Sequence, residues 1–582
     1  DTAPPTDERR TGATLAEVRK HKPTGEQQAI IDAAVAGENL VVDARAGSGK
    51  TSTLQMMAER VKKRTLYLAY NRAAADDARG KFPGHVSVMT THSLAYRSEG
   101  HALRHKLQRP PGEYVNVRGT GREIAMHFLL DPVKVGDRRF TSTSVGYAAL
   151  STVRNFENSA DEEVGRQHVS VRELVMRGVD WRNVDLAAWD EVVLDAAQRL
   201  WAERIDPNND CLAEHDTYLK LFQLSKPKLG YDLVMLDEAQ DTNECVLDIV
   251  LNQESDSQIV LVGDEYQMIY GWRGALNAMA LMPWRHLELT RSFRFGPELA
   301  DFARKLVLDD STLRPLMKLE GNEGVTTKVH NEPASFSATT YIYRTNAALL
   351  LAALPLIEAG KAVSMSVDAR QFQRKLDSVV ALFEGNMRGV THPDLRLFED
   401  WGEFYQDAEL QNPEHKHMAK VVENGMAPRV MGLLRSHKAP RRAEAVFTTA
   451  HKSKGLEWDN VVLGDDFQSV AKDEKTGVWR HVSDGERNLL YVAATRAKEN
   501  LVINDAARDV IALADRPAQV ELEMEVREHL VLEPDDPLAD EKMEQFAEAV
   551  TARTIAKHGD PADLKVTLDG PDDLLGEMVA DE

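Results

Sequence analysis

The sequence predicts an α/β protein made of two parallel-sheet units, each interrupted by a mainly helical insertion. Three observations predict it. Short β-branched and aliphatic runs alternate with helical stretches, the pattern of parallel strands joined by crossover helices. That alternation breaks twice, at about residues 95–225 and 350–440. The chain also has 582 residues, too many for one ordinary core and suited to two to four domains.

The first unit is expected to use "NLVVDA" (39–44), "TLYLAY" (65–70), "HVSVMTT" (85–91), "DLVMLDEA" (232–239) and "QIVLVGD" (258–264) as strands. Between the third and fourth of these, "LAAWDEVVLDAAQRLWAERI" with Trp181, Trp189 and Trp201 reads as an inserted helical domain. A second unit begins near Arg291, with strands "TTYIYR" (339–344), "AVFTTA" (445–450), "NVVLGD" (460–465) and "NLVIND" (500–505). The expected organisation is an N-terminal extension (1–21), a first α/β unit (22–95 and 226–290) around an insertion (96–225), a second (291–350 and 441–510) around a reduced insertion (351–440), and an acidic tail (511–582). No internal repeat of 20–50 residues is visible.

Composition narrows the class. The hydrophobic fraction of 43% is that of a globular protein, and no apolar run reaches the length of about 18 residues that a membrane span needs. "DTAPPTDERRTGAT" has no apolar signal core, so an intracellular protein is expected. Cys211 and Cys245 are the only cysteines, which excludes a cysteine-only metal cluster. The net charge of −22 argues against a phosphate-rich partner, but it is unevenly spread. Residues 511–582 carry 20 acidic and 6 basic side chains, or −14, which leaves −8 for the first 510. A local basic groove is compatible with that body.

"VVDARAGSGKTST" sets Gly47, Ser48, Gly49, Lys50 and Thr51 between a strand and an amphipathic helix. Glycines let backbone amides face phosphate oxygens, and the helix N-terminus adds positive potential. Lys50 would reach the β and γ phosphates, and Thr51 would hold Mg²⁺. Ala44 occupies the place of the usual first glycine. "LVMLDEAQD" adds matching acids at a strand end: Asp237 for Mg²⁺ through water, Glu238 as general base. These residues predict hydrolysis of a nucleoside triphosphate.

Beyond the phosphate loop, the chain resembles the UvrD/Rep-like helicases of superfamily 1, and most closely the helicase portion of the F-box DNA helicase family. The motifs run in order from residue 22 to about 505. The resemblance implies two RecA-like P-loop domains, with ATP and Mg²⁺ bound between them. "PTGEQQAII" resembles the adenine-reading segment, with Gln27 on the base; "LTRSFRFGPELADFA" places Phe293 on adenine and Arg294 on the γ-phosphate. "TTAHKSKGLEWDNVVLGDDF" implies Thr449, His451 and Lys452 on DNA phosphates and Glu457 on the ribose. "ERNLLYVAATRAKENLVI" supplies Arg496 as a second arginine finger. "LAYNRAAADDA" and "TTHSLAYR" imply Asn71, Arg72, Thr91 and His92 as backbone contacts. "GDEYQMIYGWRGA" (263–275) would then join the two ligands, with Gln267 beside Asp264 at the γ-phosphate and Tyr270, Trp272 and Arg273 at the DNA.

The implied activity is an ATP-dependent 3′→5′ helicase or translocase on single-stranded DNA and single-strand/duplex junctions. Stacking and phosphate contacts read no sequence, so little sequence preference is expected. Repair, recombination or replication is the implied setting, in the cytoplasm of a bacterium or viral host or in a eukaryotic nucleus. Two other readings stay open. One is a translocase that mainly strips proteins such as recombinase filaments from single strands; the other is a nucleotide-switched DNA-binding subunit of a larger complex. The acidic tail reads as a solvated appendage, or alternatively as a docking segment for a protein partner.

Overall fold

The computed structural model describes residues 21–514 except 109–117, 177–178, 180, 271–276, 308–316, 333, 335, 337, 393–394, 397, 399, 411–412, 437–439, 441 and 469–481. The expectations for Trp272, Arg273 and the tail from 515 onward lie outside the described residues.

Strands β1 (Leu40–Ala44), β2 (Thr65–Ala69) and β3 (Val86–Thr90) open the chain, and a short antiparallel hairpin follows, β4 (Val133–Val135) with β5 (Arg138–Phe140). Next come β6 (Leu233–Asp237), β7 (Gln258–Gly263) and β8 (Arg285–Leu289). With β1–β3 these form one parallel sheet in the order β3-β2-β6-β7-β1-β8. The central strands are buried on both faces, which is why they read as unbroken apolar runs such as "LVVDA" and "QIVLVG".

The second sheet is also parallel, with β9 (Lys328–His330), β10 (Thr339–Tyr343), β11 (Val363–Met365), β12 (Ala445–Thr449), β13 (Trp458–Leu463) and β14 (Ala497–Val502) in the order β11-β12-β10-β13-β14-β9. Four strands escaped the sequence reading of the two sheets and the first insertion's edge: the polar edge strand β8, three-residue β9, and the hairpin pair. β11 is a correction of a different kind. The stretch from 351 reads as helical insertion, yet Val363–Met365 pairs in register with Ala445–Phe447 and extends the sheet. Three residues are too few for a period of two to show against the flanking helices.

The described residues of 121–224 are mainly helical. Trp189 is fully buried, its ring edge-on to Phe140 at 5.1 Å and its indole N–H donating to Ser170 O at 3.0 Å. One apolar core crosses between the two sheets. Ala46, Tyr266 and Ile269 from the first unit pack with Phe295, Leu489, Tyr491 and Val492 of the second. No helix among the described residues is long and apolar enough to cross a membrane.

Candidate nucleotide and nucleic-acid site

Parallel register places three functional segments on one edge. Asp43 pairs with Gly263 and Asp237 with Val262, so β1, β6 and β7 end side by side. Ligands of such sheets bind at the carboxyl ends of the strands. The loop after β1, the acids after β6 and the turn after β7 therefore meet there. The second sheet turns its opposite edge to the same place. Glu457 and Arg496 directly precede β13 and β14, whose first residues Trp458 and Ala497 are register partners.

The phosphate loop is fixed by its neighbours. Gly47 has φ +73°, and a Cβ there would lie 2.5 Å from Ser292 Oγ and 2.7 Å from Arg294 Cβ, so only glycine fits. Gly47 O also accepts from Phe293 N–H at 2.7 Å, tying the loop to the segment that carries Phe293 and Arg294. Gly49 (φ +79°) caps the helix Lys50–Val61, and its hydrogen side faces Gln27 Nε2 and the Phe293 ring, both 3.4 Å from an added Cβ. Gln27, Gly49 and Phe293 thus converge, with the Phe293 ring 45% exposed and open to a ligand's flat face. Gln27 is held there twice, in a capping box with Thr24 and by donating to Thr53 Oγ1 at 3.1 Å. Buried Ser48 keeps an Oγ with no hydrogen-bond partner among the described residues, and a phosphate oxygen would satisfy it.

Lys50 Nζ donates to Glu238 Oε1 at 2.7 Å. Glu238 itself is strained, at φ +54°, a left-handed conformation that costs a non-glycine residue about 1–2 kcal/mol. Burial pushes its carboxyl up, but Lys50 and Lys454 outweigh burial and hold it well below the ordinary carboxylate range. The adjacent Asp237 goes the other way, raised by burial and by the charge of Glu238. Asp237 Oδ1 accepts from Glu238 N–H at 3.0 Å and its Oδ2 accepts from the buried Tyr67 hydroxyl. A carboxylate and the Thr51 hydroxyl are hard oxygen donors of the kind Mg²⁺ takes.

From the turn after β7, Gln267 donates to Asp264 Oδ2 at 2.6 Å and accepts from Arg496 Nη2 at 3.3 Å. Arg496 is 2% exposed, its Nε donating to Val492 O at 2.8 Å, and burial and Arg294 hold its pKa below the ordinary value. Arg294 donates through Nε to Glu457 at 2.8 Å and through Nη1 to Thr495 O at 2.9 Å. Arg294 and Glu457, expected on the γ-phosphate and the ribose, are thus paired with each other. Lys454 was missed by the sequence reading. Its Nζ donates to Gln267 O at 2.9 Å, lies 3.3 Å from Glu238 Oε2 and pairs with Asp241. The signal was its place in "HKSKGLEW", between the residues expected on DNA and on ribose.

The residues expected on DNA come from both units. Asn71 caps the helix Arg72–Ala78 by accepting from Ala74 N–H at 2.8 Å, and Arg72 is exposed. Thr91 is buried; neighbouring His92 is part-exposed, with Nε2 2.9 Å from Asp216 Oδ1. Thr449 is buried and caps the short helix Ala450–Ser453, while Lys452 Nζ donates to Ser366 O. Tyr270 stacks on Tyr70 at 5.6 Å and donates to His451 O at 3.3 Å, so this ring lies across the seam between the units.

Comparison with known proteins bears on this site. Residues 27–273 match a family model described as an AAA domain, and residues 444–503 one described as the UvrD-like helicase C-terminal domain. The chain is 32% identical over 532 residues to F-box DNA helicase protein 1 of Schizosaccharomyces pombe, covering 84% of this chain and 58% of that protein. It is 30% identical over 536 residues to F-box DNA helicase 1 of Gallus gallus, covering 86% and 50% respectively. The chain therefore spans little more than half the length of these relatives.

Proposed function

The chain belongs to the UvrD-like superfamily 1 helicases, and from that premise we propose that it is a DNA-dependent ATPase that moves 3′→5′ along single-stranded DNA and unwinds junctions. The observation that carries the proposal is the convergence of two sets of side chains at one seam. Lys50, Asp237, Glu238 and Gln267 come from the first sheet, Arg294 and Arg496 from the second. Gln27 and Phe293 would hold the adenine, and the amides of Gly47, Ser48 and Gly49 with the Ser48 hydroxyl would hold the phosphates. Thr51 and Asp237 would hold Mg²⁺, which when bound neutralises phosphate charge.

Glu238, kept ionised by its two lysines, would accept a proton from the attacking water. Lys50 would exchange its ion pair with Glu238 for the phosphates. Arg294 and Arg496 reach the site from the other unit, so turnover would require the seam to be made. Removing an arginine finger costs about 10³–10⁵ in rate in phosphoryl transfer. Alternate gripping of the strand by the two units would convert each opening and closing into a small step. Asn71, Arg72, Thr91, His92 and Tyr270 on one side, with Thr449, His451 and Lys452 on the other, are the proposed grips, and Trp272 and Arg273 join them on sequence grounds. We place the domain divisions where the sequence does, with β11 moved into the second α/β unit.

The relatives named as F-box DNA helicases favour a DNA substrate, and a nuclear setting if the source is eukaryotic. Their length leaves pathway and partners as proposals, including a protein partner for the acidic tail. A forked-duplex unwinding assay run beside displacement of a recombinase filament tests the reading. Unwinding from a 3′ single-stranded tail supports it. Filament displacement without unwinding favours the protein-stripping translocase, and neither activity overturns both.

A further inference from the structure

The hydroxyl of Tyr491 sits where the two α/β units meet. Its Oη accepts from Ala46 N–H in the phosphate loop at 3.3 Å and donates to Asp264 Oδ2 at 3.2 Å. Ala46 and Asp264 both belong to the first unit, whereas Tyr491 lies on the helix Asp484–Ala494 of the second. All three are essentially inaccessible: Asp264 and Tyr491 are fully buried and Ala46 is 1% exposed. Asp264 is the hub on the first-unit side. It takes Gln267 Nε2 at 2.6 Å and faces Arg45 Nη1 at 3.5 Å, and the Arg45 guanidinium lies 4.8 Å from the Tyr266 ring centroid. Gln267 in turn accepts from Arg496, five residues beyond Tyr491 on the same segment. Tyr491 and Arg496 therefore clasp the turn 264–267 at its two ends.

We propose that Tyr491 is a positioning residue: its hydroxyl latches the second unit onto the phosphate loop and the Asp264–Gln267 turn, and so sets how fully the seam closes. Arg496 and Arg294 can face the loop only when that latch is made. Burial and the Asp264 charge keep the phenol protonated and able to donate. When the seam opens, Ala46 N–H and Asp264 lose one partner each, which disfavours the open state unless water replaces it. The ring itself fills the shared core, edge-on to Tyr266 at 6.2 Å, and would do so equally without its oxygen. The latch is thus separable from packing by a single atom.

The inference depends on the ATPase reading only for its consequence in catalysis, so the test is run on nucleotide-free protein. Spin labels on Ser255→Cys and Glu499→Cys, exposed positions on the first and second units, report the distance across the seam; Cys211 and Cys245 are buried away from the label. The parent should give one dominant short distance. Tyr491→Phe should shift the ratio of short- to long-distance populations about tenfold toward longer distances while the chain remains folded, a change set by losing roughly one buried hydrogen bond to a charged group. Asp264→Asn should produce a comparable shift, and the double variant no further one. An unchanged distance distribution in Tyr491→Phe, or fully additive shifts in the double variant, would overturn the proposal. Should Tyr491→Phe fail to fold, the hydroxyl is structural rather than a latch and the proposal falls as well. A chain that hydrolyses no ATP would refute the ATPase reading and leave the distance result intact.

Discussion

At the scale of single residues, the site is a set of oppositely tuned neighbours. Asp237 and Glu238 are adjacent and both part-buried, yet one carboxyl is raised and the other lowered, because Glu238 bonds Lys50 and also faces Lys454 whereas Asp237 lies beside the Glu238 charge. Separating two acids in this way gives them different tasks. Glu238→Gln should reduce ATP turnover by about 10²–10⁴, the range of a lost general base, with nucleotide affinity retained; a fluorescent nucleotide titration beside a phosphate-release assay checks both. Lys454→Met should lower kcat by about 10²-fold through misplacement of Glu238 and Gln267 with a smaller change in KM, whereas equal changes in kcat and KM would contradict that assignment. Lys50, Glu238 and the glycines were legible in the sequence because the phosphate loop is a local pattern whose chemistry is carried by adjacent residues. Lys454 and Tyr491 were not, because their partners lie 187–216 and 227–445 positions away in the chain, and only the fold brings them together.

At the scale of elements, parallel register does most of the positioning. It brings the ends of β1, β6 and β7 level, and the loops after them inherit that alignment. Gly47→Ala tests how tightly the second unit is fitted to the loop. It should impair ATP binding and destabilise the seam, since the methyl has no room beside Ser292 and Arg294. Helix ends in the first insertion are closed by buried lysines. Lys220 donates to Ser159 O at 2.9 Å beyond the helix Ser142–Asn158, and Lys106 donates to Glu203 O at 2.8 Å near the end of the helix Ala187–Ile205. Glu173 in the same region is 3% exposed, accepting from Ser170 Oγ at 3.1 Å and Ser151 Oγ at 3.4 Å, and burial raises its pKa above 4.5. A raised carboxyl favours folding at low pH, and that contribution is lost as pH rises through the folded value. Glu173→Gln should therefore gain stability relative to the parent as pH rises above about 4.5, measured as the difference in Tm between the two chains. Long apolar strands were readable element by element. β8, β9 and β11 were hidden because a short edge strand needs few apolar residues.

At the scale of the whole molecule, the two units share a core through Tyr266 and Ile269, so the turn that carries Gln267 is packed by the second unit as much as by the first. On the proposed reading, that arrangement would make nucleotide state and the relation of the units one variable. The parallel-sheet class and the two breaks in the pattern were visible in the sequence. The shared core was not, because a buried aromatic in a loop does not reveal which unit it will join. Turnover is proposed to occur at this seam and to answer to DNA. Steady-state ATP hydrolysis with and without single-stranded oligo(dT), compared between the parent and Arg496→Ala, tests it most directly. Strong stimulation by DNA is expected in the parent, with a loss of about 10³-fold or more in the variant. Equal turnover with and without DNA, or a variant as active as the parent, would contradict it.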